Sequence, residues 1–186
     1  MIFTETQLKG AFIIDIEQLQ DNRGFFARTF CPKEFESHGL KPTMTQCSLC
    51  LNSKKGTVRG MHYQLAPATE AKLVRCTHGA IYDVIIDMRP ESPTYKLHIG
   101  VELTGKNRRA LYVPELFAHG YQTLTDEAEV LYQMNVFYAP EYQIGLRYND
   151  PAFGIEWPLP VSEISQKDTS WPLLESIPVG FEPSCL

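Results

Sequence analysis

With 186 residues, 44% of them hydrophobic and 21% charged, the chain is long enough to bury one core and too apolar to stay disordered. Its net charge of −5 lacks the basic field that nucleic-acid binding needs, so any anionic ligand must be held by a local cluster of Arg and Lys. No apolar run approaches the roughly 20 residues of a membrane helix, the first residues do not form a signal peptide, and five scattered cysteines argue against a disulfide framework. A single domain over 1–186, in the cytoplasm and without nucleic-acid or membrane partners, is the expectation.

In chain order, Ala11 to Ile16 is a β-branched strand, Gln20 to Gly24 a turn, and Phe25 to Phe30 a return to extended structure. Pro32 to Gly39 has proline in the first turn and glycine past the end, which predicts a short helix. From Thr43 onward, period-two segments alternate with turn residues. They cover Met44–Leu51, Thr57–Gln64, Ala71–Cys76, Ala80–Met88, Lys96–Leu103, Arg109–Val113, His119–Leu124 and Glu129–Tyr138. So many short strands at this spacing predict an all-β, antiparallel jelly-roll barrel. After Pro140 the pattern is irregular, with prolines at 151, 158, 160, 172, 178 and 183, and predicts a tail of loops and short helices.

A jelly roll encloses a pocket lined by one face of each strand, so alternation selects candidate site residues. Lys72 shares an otherwise apolar face with Val74 and Cys76. Val130, Tyr132, Met134, Val136 and Tyr138 share another, and His62 shares one with Val58 and Gly60. Arg59 has the opposite parity to His62, which predicts a bulge near Gly60 if both are to reach one pocket.

The chemistry divides between metal binding and acid–base work. A cupin-type metal site uses His-x-His, but His62 is followed by Tyr63 and Gln64, and His38, His78, His98 and His119 are dispersed. Cys47 and Cys50 form a lone C-x-x-C, which reads as free thiols without a second pair. No metal site is expected. An imidazole titrating near neutrality makes His62 the natural base. Lys72 could stabilise an oxyanion, although lysine on such a face can also snorkel to solvent. Tyr132 could donate a proton, although a core tyrosine with a satisfied hydroxyl is the commoner case. Arg23 and Arg59, each beside a glycine, suit phosphate.

The run Asp21-Asn22-Arg23-Gly24-Phe25-Phe26 is followed in order by Val58 to Gln64, Lys72 to Cys76, Ser92 to Tyr95, and Phe117-Ala118-His119-Gly120-Tyr121. Val130-Leu131-Tyr132, Asn149-Asp150-Pro151, Ile155 to Pro158 and Ile164 to Asp168 complete the series. Together they resemble the dTDP-4-dehydrorhamnose 3,5-epimerases over about residues 5 to 172. The resemblance implies a cofactor-free, cupin-like homodimer acting on a nucleotide-linked 4-keto-6-deoxy hexose. It makes His62 the base, Asp168 its dyad partner and Tyr132 the opposing acid, and it places Lys72 beside the C4 ketone. Arg23, Gln46, Arg59 and His119 would hold diphosphate and sugar, with Tyr138 lining the pocket and Lys167, beside Asp168 in the matched segment, also binding substrate.

Three positions depart from the family pattern. Arg28 stands where the family has a glutamate that reads thymine, Ser48 replaces an asparagine, and Gln143 replaces a glutamate. Arginine only donates hydrogen bonds, so Arg28 suits the acceptor edge of cytosine better than the N3–H of thymine and points to a CDP-linked sugar as an alternative to a dTDP-linked one. Two rival functions stay open: a sugar-nucleotide 3,4-ketoisomerase on the same fold, and a non-catalytic sugar-nucleotide binding module.

Overall fold

The computed structural model describes residues 1–174, so Pro178, Pro183 and Cys185 of the expected tail lie outside it. Strands β1 (Ile2–Glu5) and β2 (Phe12–Asp15) pair antiparallel, β3 (Leu19–Asp21) and β4 (Gly24–Phe26) form a separate hairpin, and helix α1 (Pro32–Ser37) follows. Next come β5 (Gln46–Asn52), β6 (Val58–Gln64), β7 (Lys72–His78), β8 (Ala80–Asp87) and β9 (His98–Thr104). The series ends with β10 (Ala110–Val113), β11 (Phe117–Thr123), β12 (Ala128–Met134), β13 (Gln143–Gly145) and helix α2 (Gln166–Ser170).

Two antiparallel sheets result. One has the order β1-β2-β10-β7-β12-β5 and the other β13-β6-β11-β8-β9. This is the jelly-roll architecture that the alternating segments predict. Between the sheets, Val74, Leu111 and Val130 from the first pack against Ile81, Ile85, Leu103 and Phe117 from the second. That core fills one end of the sandwich, and the gap at the other end, under β5, β12, β6 and β13, stays open as a pocket.

The outer faces are covered as well. Phe35 of α1 is fully buried against Leu73, Ile14 and Tyr112 on the six-stranded sheet, with Phe3 and Phe30 around it. The irregular chain after β13 lays Leu146, Phe153 and Trp157 over Met61, Val84 and Ile86 on the five-stranded sheet. Double coverage explains why β8 reads as a nearly continuous apolar run: its two faces are both inside.

Asp87, at the end of β8, latches the loop that leads to β9. Its carboxylate accepts from Arg89 Nε and Nη2 at 2.8 and 2.7 Å, from Ser92 Oγ at 2.5 Å and from Thr94 Oγ1 at 2.6 Å. Burial alone would raise this acid, but those donors outweigh it and hold it at about 2, against an ordinary 3.8. A folded-state value below the unfolded one contributes stability that is present above about pH 4 and lost as pH falls towards 2. Asp87→Asn is therefore expected to cost about 2 kcal/mol at neutral pH. In urea melts the gap from wild type should narrow steadily as the buffer is taken down to pH 2.

Candidate active site

The site is built around a fault in strand pairing. In β6 and β11, His62 pairs with His119, but the next pair is Arg59 with Tyr121, so three steps on β6 oppose two on β11. The extra residue is the bulge predicted near Gly60, and it puts Arg59 and His62 on the same inner face despite their opposite parity. Gly60, with φ of +112°, sits so close to β11 that a Cβ there would lie 2.6 Å from Gly120 Cα and 2.7 Å from His119 O. A side chain at Gly120 would in turn meet Arg59 O at 2.6 Å. Two glycines crossing at contact distance make this local arrangement possible.

The cavity holds about 660 Å³, within the range of small-molecule sites. His62 enters from the five-stranded sheet, and its Nε2 lies 2.6 Å from Oδ1 of Asp168 on α2. Ser165 caps α2 by accepting from Asp168 N at 3.0 Å, which fixes the carboxylate at the start of the helix. Burial raises the Asp168 acid, but the His62 hydrogen bond and charge, the Gly60 N–H and Ser165 together hold it below its ordinary 3.8. An ionised Asp168 orients the imidazole and leaves Nδ1 without a partner among the described residues.

Lys72 and Tyr132 enter from the opposite sheet. Lys72 is 8% exposed, with Nζ 2.9 Å from Glu70 Oε1 and 3.3 Å from the His62 carbonyl, so the snorkelling alternative does not hold. Tyr132 is half-buried and its ring meets His119 edge-on at 5.9 Å. Burial and the neighbouring Tyr121 push its phenol well above 10. His119 is itself buried and lies 2.7 Å from Asp83 Oδ1.

Eleven of the residues singled out in the sequence line this cavity: His62, Asp168, Lys72, Tyr132, His119 and Arg59, with Gln46, Ser48, Tyr138, Gln143 and Lys167 at its mouth. Gln143 is a hub there, since its Oε1 accepts from both Tyr138 Oη, at 3.1 Å, and Lys167 Nζ. Tyr138 arrives by a route that alternation does not predict. β12 stops at Met134, and the chain beyond it is held by Tyr138 N donating to Gln46 Oε1 at 3.0 Å and Ala139 N donating to Gln64 Oε1 at 2.7 Å.

Arg23 and Arg28 are not brought to this pocket. Arg23 sits at the tip of the exposed β3–β4 hairpin, paired with Asp21, and Arg28, just after it, pairs with Glu34 at 2.8 Å; the hairpin is a sheet of its own, hydrogen-bonded to neither of the two that wall the pocket. Cys47 and Cys50 take opposite sides of β5, with Cys47 exposed and Cys50 lining the pocket, so they do not act as a pair.

Glu70 and Asp83 were missed. Glu70 shares parity with Lys72, and an amine and a carboxylate two apart on one apolar face are a readable pair. Asp83 interrupts the buried run Ile81 to Ile86, where an unpartnered carboxylate would be too costly to keep.

Groups on facing walls of a pocket can take a proton from one side of a ligand and return one from the other. That is the chemistry of an isomerase of the epimerase type. Residues 5–176 match the model of the dTDP-4-dehydrorhamnose 3,5-epimerases, and the chain belongs to that family. It is 41% identical over 180 residues to the dTDP-4-dehydrorhamnose 3,5-epimerase of Methanothermobacter thermautotrophicus, covering 95% of this chain and 96% of that one. The crystal structure of the Elizabethkingia anophelis enzyme superposes with a TM-score of 0.91 at 34% identity, covering 94% and 97% of the two chains. A Legionella pneumophila epimerase solved with dTDP-4-keto-L-rhamnose gives 0.87 at 36% identity, covering 95% and 94%.

Proposed function

We propose that this chain inverts C3, C5 or both in a nucleotide-linked 4-keto-6-deoxy hexose. The observation that carries the reading is the His62–Asp168 dyad at 2.6 Å, facing Lys72 and Tyr132 across the gap between the sheets. Hydrogens on C3 and C5 flank the C4 carbonyl, so removing one gives an enolate whose charge collects on the C4 oxygen. His62 takes that proton, and Asp168 stabilises the imidazolium that forms. Lys72, a cation on the wall opposite, stabilises the oxyanion. Inversion requires a proton from the other side, and Tyr132 stands on the other sheet. Arg59 and His119 hold the diphosphate and sugar. The ligand named for the Legionella structure supports the substrate class.

Incubation with the dTDP-linked 4-keto-6-deoxy sugar in D₂O tests the reading. Deuterium at C3 or C5 of an inverted product supports it, and absence of exchange at both carbons with the dTDP- and the CDP-linked sugar alike removes it. Exchange at C3 with migration of the carbonyl would instead indicate the ketoisomerase. Lys72→Met is expected to slow epimerisation by about 10²–10³-fold, as loss of one oxyanion donor does elsewhere, with nucleotide binding retained in calorimetry.

The working unit in this reading is a cytoplasmic homodimer. Among the described residues no helix is long and apolar enough to cross a membrane. The hairpin exposes Leu19 and Phe26 at 69% and 72%, and edge strand β5 exposes Leu49 and Leu51 at 60% and 56%. Such apolar surface suits a second copy, and the hairpin of one copy would bring Arg23 and Arg28 to the pocket of the other. Sedimentation should then give twice the chain mass. Arg28 would there face the base, and Arg28→Glu is expected to shift the ratio of dTDP to CDP affinity about tenfold towards dTDP, the scale of one charged hydrogen bond. An unchanged ratio would remove Arg28 from base recognition.

A further inference from the structure

Behind the wall where Arg59 enters the pocket lies a buried amide that the proton-transfer scheme does not use. Asn52, the last residue of β5, is 3% exposed. Its Oδ1 accepts from Arg59 Nε at 2.7 Å. Its Nδ2 donates to the Ala128 carbonyl at 3.0 Å and to the Tyr121 hydroxyl at 3.1 Å. These partners settle which end of the amide is which. A reversed amide would set NH₂ against the guanidinium and a carbonyl oxygen against another carbonyl.

The consequence falls on Arg59. A guanidinium carries five N–H donors in one plane, and Asn52 engages only the one on Nε. The four donors on the terminal nitrogens have no partner among the described residues, and the plane in which they lie is set by the contact at Nε. Arginine recognises phosphate oxygens by presenting such a fork in a fixed orientation. An arginine that is itself exposed, as Arg59 is, would otherwise have to give up many rotamers when a ligand arrives. Asn52 cannot swing with it. β5 holds its backbone through the Ala128 pairing, and the Ala128 carbonyl and Tyr121 hold its side chain.

We propose that Asn52 is a positioning residue that seats Arg59 for a nucleoside diphosphate. The proposal rests on the reading above, in which Arg59 binds the diphosphate, and adds that its orientation is set in advance from the edge strand of the facing sheet. Asn52 does not touch the ligand. Its effect should therefore pass through Arg59 and vanish when Arg59 is absent, which a general loosening of the fold would not do.

The test is a double-substitution cycle read by calorimetry, using whichever of dTDP and CDP the wild-type protein binds more tightly. Asn52→Ala is expected to weaken binding about tenfold, the scale of one hydrogen bond to a charged group, and Arg59→Ala about a hundredfold. The double variant should bind no more weakly than Arg59→Ala alone. Asn52→Leu keeps the shape of the side chain without an acceptor for Nε, and it serves the same cycle if the alanine variant does not fold. Unchanged affinity in the folded Asn52 variant, or an equal loss in the presence and absence of Arg59, overturns the seat alone. A wild-type protein that binds neither nucleotide overturns the nucleotide-sugar reading and the seat with it.

Discussion

Replacing His62 with alanine is expected to lower epimerisation by about 10²–10⁴-fold, the usual contribution of a positioned base, and to remove solvent deuterium from C3 and C5 together. Both readouts should fall because abstraction precedes everything else, and no other imidazole stands ready. His119 is paired with Asp83 in the wall, His38 and His78 lie on the surface, and His98 on β9 does not line the cavity. Near-ultraviolet circular dichroism and nucleotide binding should stay close to wild type, since His62 is half-buried at the edge of a cavity rather than packed in the core. Normal deuterium uptake by a folded His62→Ala protein would transfer the role of base to another group.

Tyr132→Phe is expected to separate the two half-reactions. His62 would still form the enolate and would return deuterium to the face from which it took the proton. Deuterated but uninverted substrate should accumulate while inverted product falls by about 10²–10⁴-fold. The position of the phenol makes the split sharp. Burial and Tyr121 keep its pKa well above 10, so it holds its proton until a strong carbon base such as an enolate is in place. Asp83 contributes to the same elevation, so negative charge nearby disfavours premature ionisation. Equal loss of exchange and of inversion would mean that Tyr132 shapes the pocket without delivering the proton.

What could be read in advance was whatever local pattern determines. The helix at Pro32 begins where proline allows, and the long strands from β5 to β12 follow their alternation to within a few residues. β1 and β13 were not legible. Ile2–Glu5 and Gln143–Gly145 are too short to carry a period, and each is a strand because a neighbour pairs with it, β2 in one case and β6 in the other. Among site residues, Lys72 and Tyr132 could be placed by parity alone. Tyr138 could not, since its strand ends four residues early and side chains of Gln46 and Gln64 carry the chain onward. Arg23 and Arg28 show the limit most clearly: residue type suggested anion binding, but location depends on where an exposed hairpin goes. Asn52 carried no signal at all, because its partners are scattered from Arg59 to Ala128.

The three-against-two pairing of β6 with β11 turns the interval from Arg59 to His62 into a measured length. On a regular strand those two side chains would diverge to opposite faces, and no choice of residue types could reunite them. Ironing out the fault at constant length, three steps facing three, would send either the cation or the imidazole out towards Met88 and Trp157, whereas removing one residue would leave two steps facing two and keep both inside, drawn closer by one residue's rise. Substitutions at Met61, whose side chain is packed on the outer face, would by contrast be absorbed as changes in stability.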